Sequence, residues 1–574
     1  MLSTRKLTGM ALTLSLLFGL LAPAAGAGAA SEEKRDEIVV PKSEMQSYVD
    51  AMQPGWNLGN TFDATGEDET SWGNPRVTQE LIRHIAKEGY NSIRIPITWD
   101  HRMGEAPDYA IDPAFMDRVE EVVDWSLDAG LYVMINLHHD SWLWVNGMGA
   151  DRDTVLARFN AAWTQIAERF KHHSNKLSFE SINEPRFSDG WGEAGEAHFA
   201  MLNELNASFH DIVRASGGNN ADRPLVLPTL ETNANQDRLD ALVDTFEALD
   251  DPNLIATVHY YGFWPFSVNI AGFTRFNEET KNDVVQTFDR VYTTFVSQGI
   301  PVVLGEYGLL GFDNHTGTIE QGEKLKFFEF LLHYVQERGI THMLWDNGQH
   351  LNRTELEWND PQLIDMLKAS WKARSATAET DLIFVRKGEE TQDAVIAFDL
   401  NDRRLVGLRH DGKQLRRGED YAFDGNALTV KAALLSELTA SGEYGERAEL
   451  AADFNRGADW TFDVIVFDSP VLEDATGTTE SFSIPTAFHG DRLATMEAVY
   501  AAGGNAGPQN WTSFKEFAYA FSPSYDANEI KLTPNFFKEV NDGEVLLTFH
   551  FWSGEKVAYT ITKAGESVTG NAAE

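Results

Sequence analysis

Eight short apolar or β-rich runs lie between Gly55 and Trp345, and most are followed by sequence carrying apolar residues at helical spacing. That alternation predicts an α/β fold, a (β/α)8 TIM barrel. After Trp371 the texture becomes short alternating runs separated by Gly, Asp and Asn turns, which predicts two all-β sandwich modules behind the barrel. A length of 574 residues agrees with more than one domain.

The barrel strands are expected at Gly55 to Asn60, Ser92 to Ile97, Tyr132 to His138, Leu177 to Asn183, Pro224 to Pro228, Leu254 to Tyr260, Pro301 to Glu306 and Thr341 to Trp345. Met116 to Ala129, Thr154 to His172 and Val284 to Gln298 carry the apolar stripe an outer helical layer needs. Ala394 to Phe398, Trp460 to Phe467, Glu516 to Phe521 and Val545 to Trp552 read as later strands. A boundary between the two sandwiches is expected near Ser469-Pro470, where a closing strand gives way to a turn-rich start. The division is therefore a barrel at 31–375, one sandwich at 376–469 and a second at 470–574. No long Ser/Pro linker intervenes, so the three units are expected to pack against one another.

At the N-terminus, Arg5 and Lys6 precede the apolar run Met10 to Leu21 and the small residues Ala27-Gly28-Ala29. This is the pattern of a signal peptide over 1–30, and the run is shorter than the ~20 residues that span a bilayer. Secretion and no membrane anchorage are expected. The 88 acidic against 47 basic residues give a formal charge of −41, which repels polyphosphate and argues against a nucleic-acid partner. Cysteine is absent, so disulfides, thiolate metal sites and a cysteine nucleophile are excluded. Twelve of the 15 tryptophans fall between Trp56 and Trp371, an aromatic supply suited to stacking sugars at a barrel mouth.

Function in such a barrel collects at the C-terminal strand ends, and two glutamates stand there. Glu184 follows Ser181-Ile182-Asn183 at the fourth run, and Glu306 follows Val302-Val303-Leu304-Gly305 at the seventh. A carboxylate after an apolar strand is costly to desolvate unless partnered; structural ion pairs are the bland alternative. Cleaving an acetal between sugars requires one carboxylic acid to protonate the leaving oxygen and one carboxylate to attack carbon, which suits Glu184 as acid/base and Glu306 as nucleophile. Arg94 at the second strand end is placed to hold Glu306 ionised, while His259, Tyr261 and Trp345 close strands six and eight.

With these residues in place, the chain from about Lys42 to Ser375 resembles glycoside hydrolase family five, in particular its bacterial endo-β-glucanase and xyloglucanase subfamily. Asn183-Glu184-Pro185 resembles the acid/base motif, Gly305-Glu306-Tyr307-Gly308 the nucleophile strand, and Arg94, His138, His259, Tyr261 and Trp345 match the remaining pattern. The resemblance implies that Asn183 bonds the sugar 2-OH, that His259 orients Glu184, that Tyr261 donates to Glu306, and that Trp345 is the platform beneath the sugar at the cleaved bond. His138 and His139 are expected to contact sugar hydroxyls. Zinc is their rival role, disfavoured because adjacent histidines on a strand point apart and no third ligand stands at suitable spacing. No metal or cofactor is expected.

Trp56, Asn57, Trp72, Trp142, Trp144 and Trp264 are candidates for outer subsites, with core packing as the alternative for each. About Thr380 to Ser469 resembles an immunoglobulin-like X-module, and Pro470 to about Gly570 a family-46 carbohydrate-binding module. Trp460 reads as buried, which makes the middle module a spacer; Trp511 and Trp552 are candidate sugar contacts in the last. The expected activity is that of a secreted, retaining, monomeric endo-β-1,4-glucanase acting on plant cell-wall β-glucan: cellulose-type, mixed-linkage or xyloglucan. A β-mannanase on the same fold and an inactive glycan-binding protein are the rivals.

Overall fold

The computed structural model describes residues 43–188, 190–192 and 194–573, so the expected leader at 1–30 lies outside the described residues. Eight parallel strands close into a barrel in chain order: β1 (Gly55–Asn57), β2 (Ser92–Ile95), β3 (Tyr132–Asn136), β4 (Leu177–Glu180), β5 (Leu225–Pro228), β6 (Leu254–Tyr260), β7 (Val302–Tyr307) and β8 (Thr341–Leu344). Most are shorter at their C-terminal ends than the apolar runs predict. Ile97, His138, Asn183 and Trp345 have already left the ladder, and leaving it is what puts the polar members of this group at the barrel mouth.

The three expected helical stripes are the helices Pro113–Asp128, Arg152–Phe170 and Glu278–Thr294. Asp112, Asp151 and Asn277 cap them, each side chain accepting a backbone N–H of the first turn. The opposite end of the barrel is closed by the helix Glu44–Met52. Its Met45, Val49 and Met52 pack on Met134, Val226, Ile255, Val303 and Met343 from the strands, an apolar plug that leaves the C-terminal end as the polar one.

Each following module is a sandwich of a four-stranded and a five-stranded sheet. The first uses strands between Thr377 and Phe467, with Trp460 fully buried between its layers. The second uses strands between Val471 and Ala572. One apolar core runs without interruption from the barrel into the first sandwich, while the second has a core of its own.

The segment Glu516 to Phe521 is not a strand. It is a loop that packs Phe517 and Ala520 into the core of its own module and also touches the barrel: the Phe517 amide donates to the Asn269 carbonyl at 3.2 Å, and the Phe517 ring meets His315. The strand begins only at Phe521.

Candidate active site

Arg94 projects from β2 into the barrel interior with no exposed surface, and all its N–H groups are engaged. Nε and Nη2 donate to the Glu180 carboxylate at 2.8 and 3.2 Å, and Nη2 also to Asn183 Oδ1 at 2.7 Å. Nη1 donates to Glu306 Oε1 at 2.6 Å and to Asn57 Oδ1 at 3.0 Å. The planar fork of a guanidinium makes such a convergence possible; a lysine has neither the donors nor the geometry. Burial alone works against its charge, but Glu180 and then Glu306 outweigh it and raise the Arg94 pKa further.

Glu306 lies on β7 beside His259 on β6 because the ladder between them slips. Val258 pairs with Leu304 but His259 with Glu306, so Gly305 is the extra residue of a bulge. A side chain there would collide with Thr257 Oγ1 and crowd the His259 ring, at 2.7 and 3.1 Å from its Cβ. The glycine before Glu306 thus makes room for the histidine. Tyr261 donates to Glu306 Oε2 at 2.5 Å. Burial on its own raises the Glu306 pKa, yet His259, Arg94 and the Tyr261 hydroxyl together overcome it and hold the carboxyl below its usual range. Burial, with the Glu306 charge added, pushes the Tyr261 hydroxyl well above its ordinary range, so it stays a donor.

Glu184 sits four residues past Glu180, the last residue of β4, in the left-handed region at φ 43°. For a residue with a Cβ this is a costly conformation, and it is held from outside. His259 Nδ1 approaches Glu184 Oε1 at 3.0 Å and Glu306 Oε2 at 3.5 Å, standing between the two carboxylates. Glu184, His259 and Glu306 present atoms that all lie within 4.8 Å of one another. Trp345 lies parallel to the His138 ring, 5.8 Å away and 3° off, with Gly59 beneath it where a Cβ would strike the indole. Burial, followed by His139 and Arg94, depresses the His138 pKa well below its usual value.

Glu184, Glu306, Asn183, Arg94, His259, Tyr261, His138 and Trp345 therefore converge. His139 is one step further out, bonded by Trp142 Nε1 at 2.9 Å and 5.2 Å from the Trp72 ring, with Trp72 and Trp142 both exposed. Trp264 is also exposed, and its ring centre lies 6.4 Å from that of Trp511, which is 59% exposed.

Other expectations need correction. Trp56 is wholly buried and its indole donates to Asp346 at 3.0 Å, so it packs the wall and offers no face to a sugar. Asn57 is likewise buried, its amide donating to three backbone carbonyls on β7 and β8 while its oxygen accepts from Arg94; it positions Arg94. Trp144 is held by Asp140 and covered by Arg158. Trp552 lies under Arg275 of the barrel, 5.0 Å from its centroid, and packs on Leu382, Ile465 and Phe467 of the first sandwich. It is a joint between units. The histidine pair does acquire a carboxylate neighbour: the fold brings Asp63, distant in sequence, within 4.8 Å of His138 and His139. Asp63 already accepts the Asn60 and Thr61 amides.

Glu180, Asn136, whose amide donates to Glu180 Oε2 at 2.8 Å, Asp63 and Glu231, buried after β5, escaped the sequence reading. The first three lie inside or beside apolar runs, and the only available signal was a charge or amide where a buried strand leaves no water to meet it.

The profile for "Cellulase (glycosyl hydrolase family 5)" matches residues 57–351, that for "Carbohydrate binding domain X2" residues 377–464, and the "Carbohydrate binding domain" of the CBM46 type residues 468–571. Endoglucanase B of Paenibacillus lautus is 58% identical over 570 residues, 99% of each chain. A full-length tri-modular endo-β-1,4-glucanase B from Bacillus halodurans superposes with a TM-score of 0.92 at 61% identity, covering 92% of this chain and 99% of that one. A tri-modular family-5, subfamily-4 endo-β-1,4-glucanase from Bacillus licheniformis, solved with cellotetraose, gives 0.79 at 31% identity over 92% of this chain and 99% of its own. A closed eight-stranded barrel with paired glutamates at strands four and seven, followed by these two modules, places the chain in glycosyl hydrolase family 5, among the cellulases.

Proposed function

We propose that the chain is a secreted endo-β-1,4-glucanase that cleaves cellulose-type glucan, mixed-linkage β-glucan or xyloglucan with retention of configuration. The observation that carries this reading is the closeness of Glu184 and Glu306, whose carboxylate oxygens come within 4.8 Å. Retaining glycosidases hold their carboxyl groups ~5–5.5 Å apart, whereas inverting ones leave ~6.5–9.5 Å for a water. The endoglucanase names of the relatives support the substrate class.

In this reading Glu306, kept ionised by Arg94, His259 and Tyr261, attacks the anomeric carbon. The bond to the leaving oxygen breaks as the bond from Glu306 forms, and the proton of Glu184 passes to that oxygen. Glu184, now a carboxylate, takes a proton from water as the water attacks the same carbon and releases Glu306. Asn183 has its oxygen turned to Arg94, leaving its amide to donate to the sugar 2-OH. Trp345 packs its face against the ring, and His138 and His139 meet hydroxyls beyond it.

The units act as assigned from the sequence: 31–375 catalytic, 376–469 a spacer and 470–574 a carbohydrate-binding module, with a leader over 1–30 directing export. No described helix is long and apolar enough to cross a membrane. The pairing of Trp511 with Trp264 supports a last module that lengthens the cleft. A reducing-sugar assay on carboxymethylcellulose, mixed-linkage glucan, xyloglucan and mannan tests the substrate class: turnover of the glucans with little on mannan is expected, and the reverse order makes the enzyme a mannanase.

A further inference from the structure

Glu231 belongs to none of the contacts described so far. It follows β5, buried, in a 3-10 turn Leu230–Thr232, and both it and Thr232 adopt left-handed backbone, at φ 58° and 49°. Two consecutive residues with a Cβ in this region are costly and persist only where their surroundings hold them. The holding contacts are specific. The Glu231 amide donates to the Pro185 carbonyl at 2.7 Å, directly after Glu184, which is itself left-handed. The Glu231 carboxylate accepts the Gly192 amide on Oε1 at 2.7 Å and Arg238 Nη2 on Oε2 at 3.1 Å. Carboxylate and guanidinium side chains are only 2% and 4% exposed. One strained residue thus grips the connection after β4 at two points, one adjoining Glu184 and one seven residues on, and Arg238 fixes the gripping group from behind.

We infer that Glu231 is a positioning residue for Glu184: the Arg238–Glu231 pair sets the backbone on which the acid stands and so the aim of its proton. A buried charge pair is a poor device for stability, since its desolvation offsets its attraction, but it fixes geometry well because both partners are rigidly bonded. Replacing the carboxylate by a carboxamide opposes an N–H2 to Arg238 or turns it from Gly192; either way one grip is lost. Proton delivery is then misdirected while nucleophile, platform and 2-OH contact stay in place. The consequence falls on substrates whose leaving group needs that proton.

This inference rests on Glu184 being the acid, and the test separates the two. Steady-state kinetics are measured on phenyl and 2,4-dinitrophenyl β-cellobiosides and on soluble glucan for the parent, Glu231→Gln, Arg238→Met, Arg238→Lys and Glu184→Gln, with thermal unfolding of each. For Glu231→Gln and Arg238→Met, kcat/KM is expected to fall about ten- to hundredfold on the phenyl glycoside and glucan, and at least about tenfold less on the dinitrophenyl glycoside, through kcat more than KM. Arg238→Lys, which restores a cation, should recover part of the loss. Equal losses on the two aryl glycosides, or none, while Glu184→Gln shows the leaving-group dependence, overturn the inference and leave the acid assignment standing. Equal losses for Glu184→Gln itself overturn the acid assignment and this inference with it. Should Glu231→Gln fail to fold, Arg238→Met alone decides by the same comparison.

Discussion

Removing Glu306 leaves Arg94 with one carboxylate partner, Glu180, and that charge balance governs what the site tolerates. In Glu306→Ala the guanidinium remains paired, so the fold is expected to survive while turnover drops by at least about a thousandfold. Sodium azide should restore part of the activity, because a small anion can enter the space beside the freed Nη1 and attack in place of the carboxylate. A variant that stays inactive with azide while retaining its unfolding temperature counts against Glu306 as nucleophile. Arg94→Met is the opposite case. It takes the shared guanidinium from two buried carboxylates, leaving Glu180 the Asn136 amide and Glu306 the Tyr261 hydroxyl and His259; losing a buried ion-pair partner costs about 3–5 kcal/mol, and a fall in unfolding temperature should accompany the loss of activity. An Arg94→Met protein as stable as the parent would mean that water or another cation already serves Glu180 and Glu306.

At the level of elements, the N-terminus of the helix Gln321–Glu337 carries a pair of carboxyls, half-buried Glu320 as its cap and buried Asp381 from the first sandwich. The Asp381 carboxyl occupies the space a side chain on Gly322 would need. Burial, followed for Asp381 by the neighbouring Glu320, raises both pKa values, Asp381 well above its usual range. Carboxyls with raised folded-state values bind more protons folded than unfolded, so stability falls as pH rises. The contribution is fully present below the ordinary carboxylate range near pH 4 and is lost as pH climbs through the raised values. Glu320→Gln should therefore flatten the decline of the unfolding temperature between pH 4 and alkaline conditions; an unchanged profile would remove the pair from the account. Such couplings were not legible in the sequence. The eight runs and three helical stripes were, because burial on both faces of a parallel strand and on one face of a helix writes a period into the chain. The two glutamates were legible because each stands immediately after such a run. Trp56 and Asn57 failed for a geometric reason: on a strand of three residues, which neighbour faces the mouth depends on register with β2 and β8, set far along the chain. Glu516 to Phe521 failed because an apolar run is equally the mark of a strand and of a loop that packs into a core without joining a ladder.

Across the whole molecule, the last module is fastened at several points. Asn269 of the barrel donates to the Ala494 carbonyl at 3.0 Å and accepts from Phe517, Arg492 donates to Asp463 of the first sandwich at 2.9 Å, and Arg386 of that sandwich pairs with Glu555. Lys515, buried, donates to the carbonyls of Pro508 and Thr512 and so pins the turn that bears Trp511. These contacts predict that Trp511→Ala weakens hydrolysis of long soluble glucans, by about two- to twelvefold if one stacked ring is worth ~0.5–1.5 kcal/mol, and leaves short cello-oligosaccharides unaffected. Trp552→Ala should instead loosen the joint and lower the unfolding temperature. If both variants keep full activity on xyloglucan and mixed-linkage glucan, the last module does not extend the cleft. The central claim is double displacement on Glu306, and the most direct measurement is proton NMR of the first products released from a soluble β-1,4-glucan. The β-anomer is expected to appear first and to decay to the equilibrium mixture by mutarotation; initial release of the α-anomer would contradict the account.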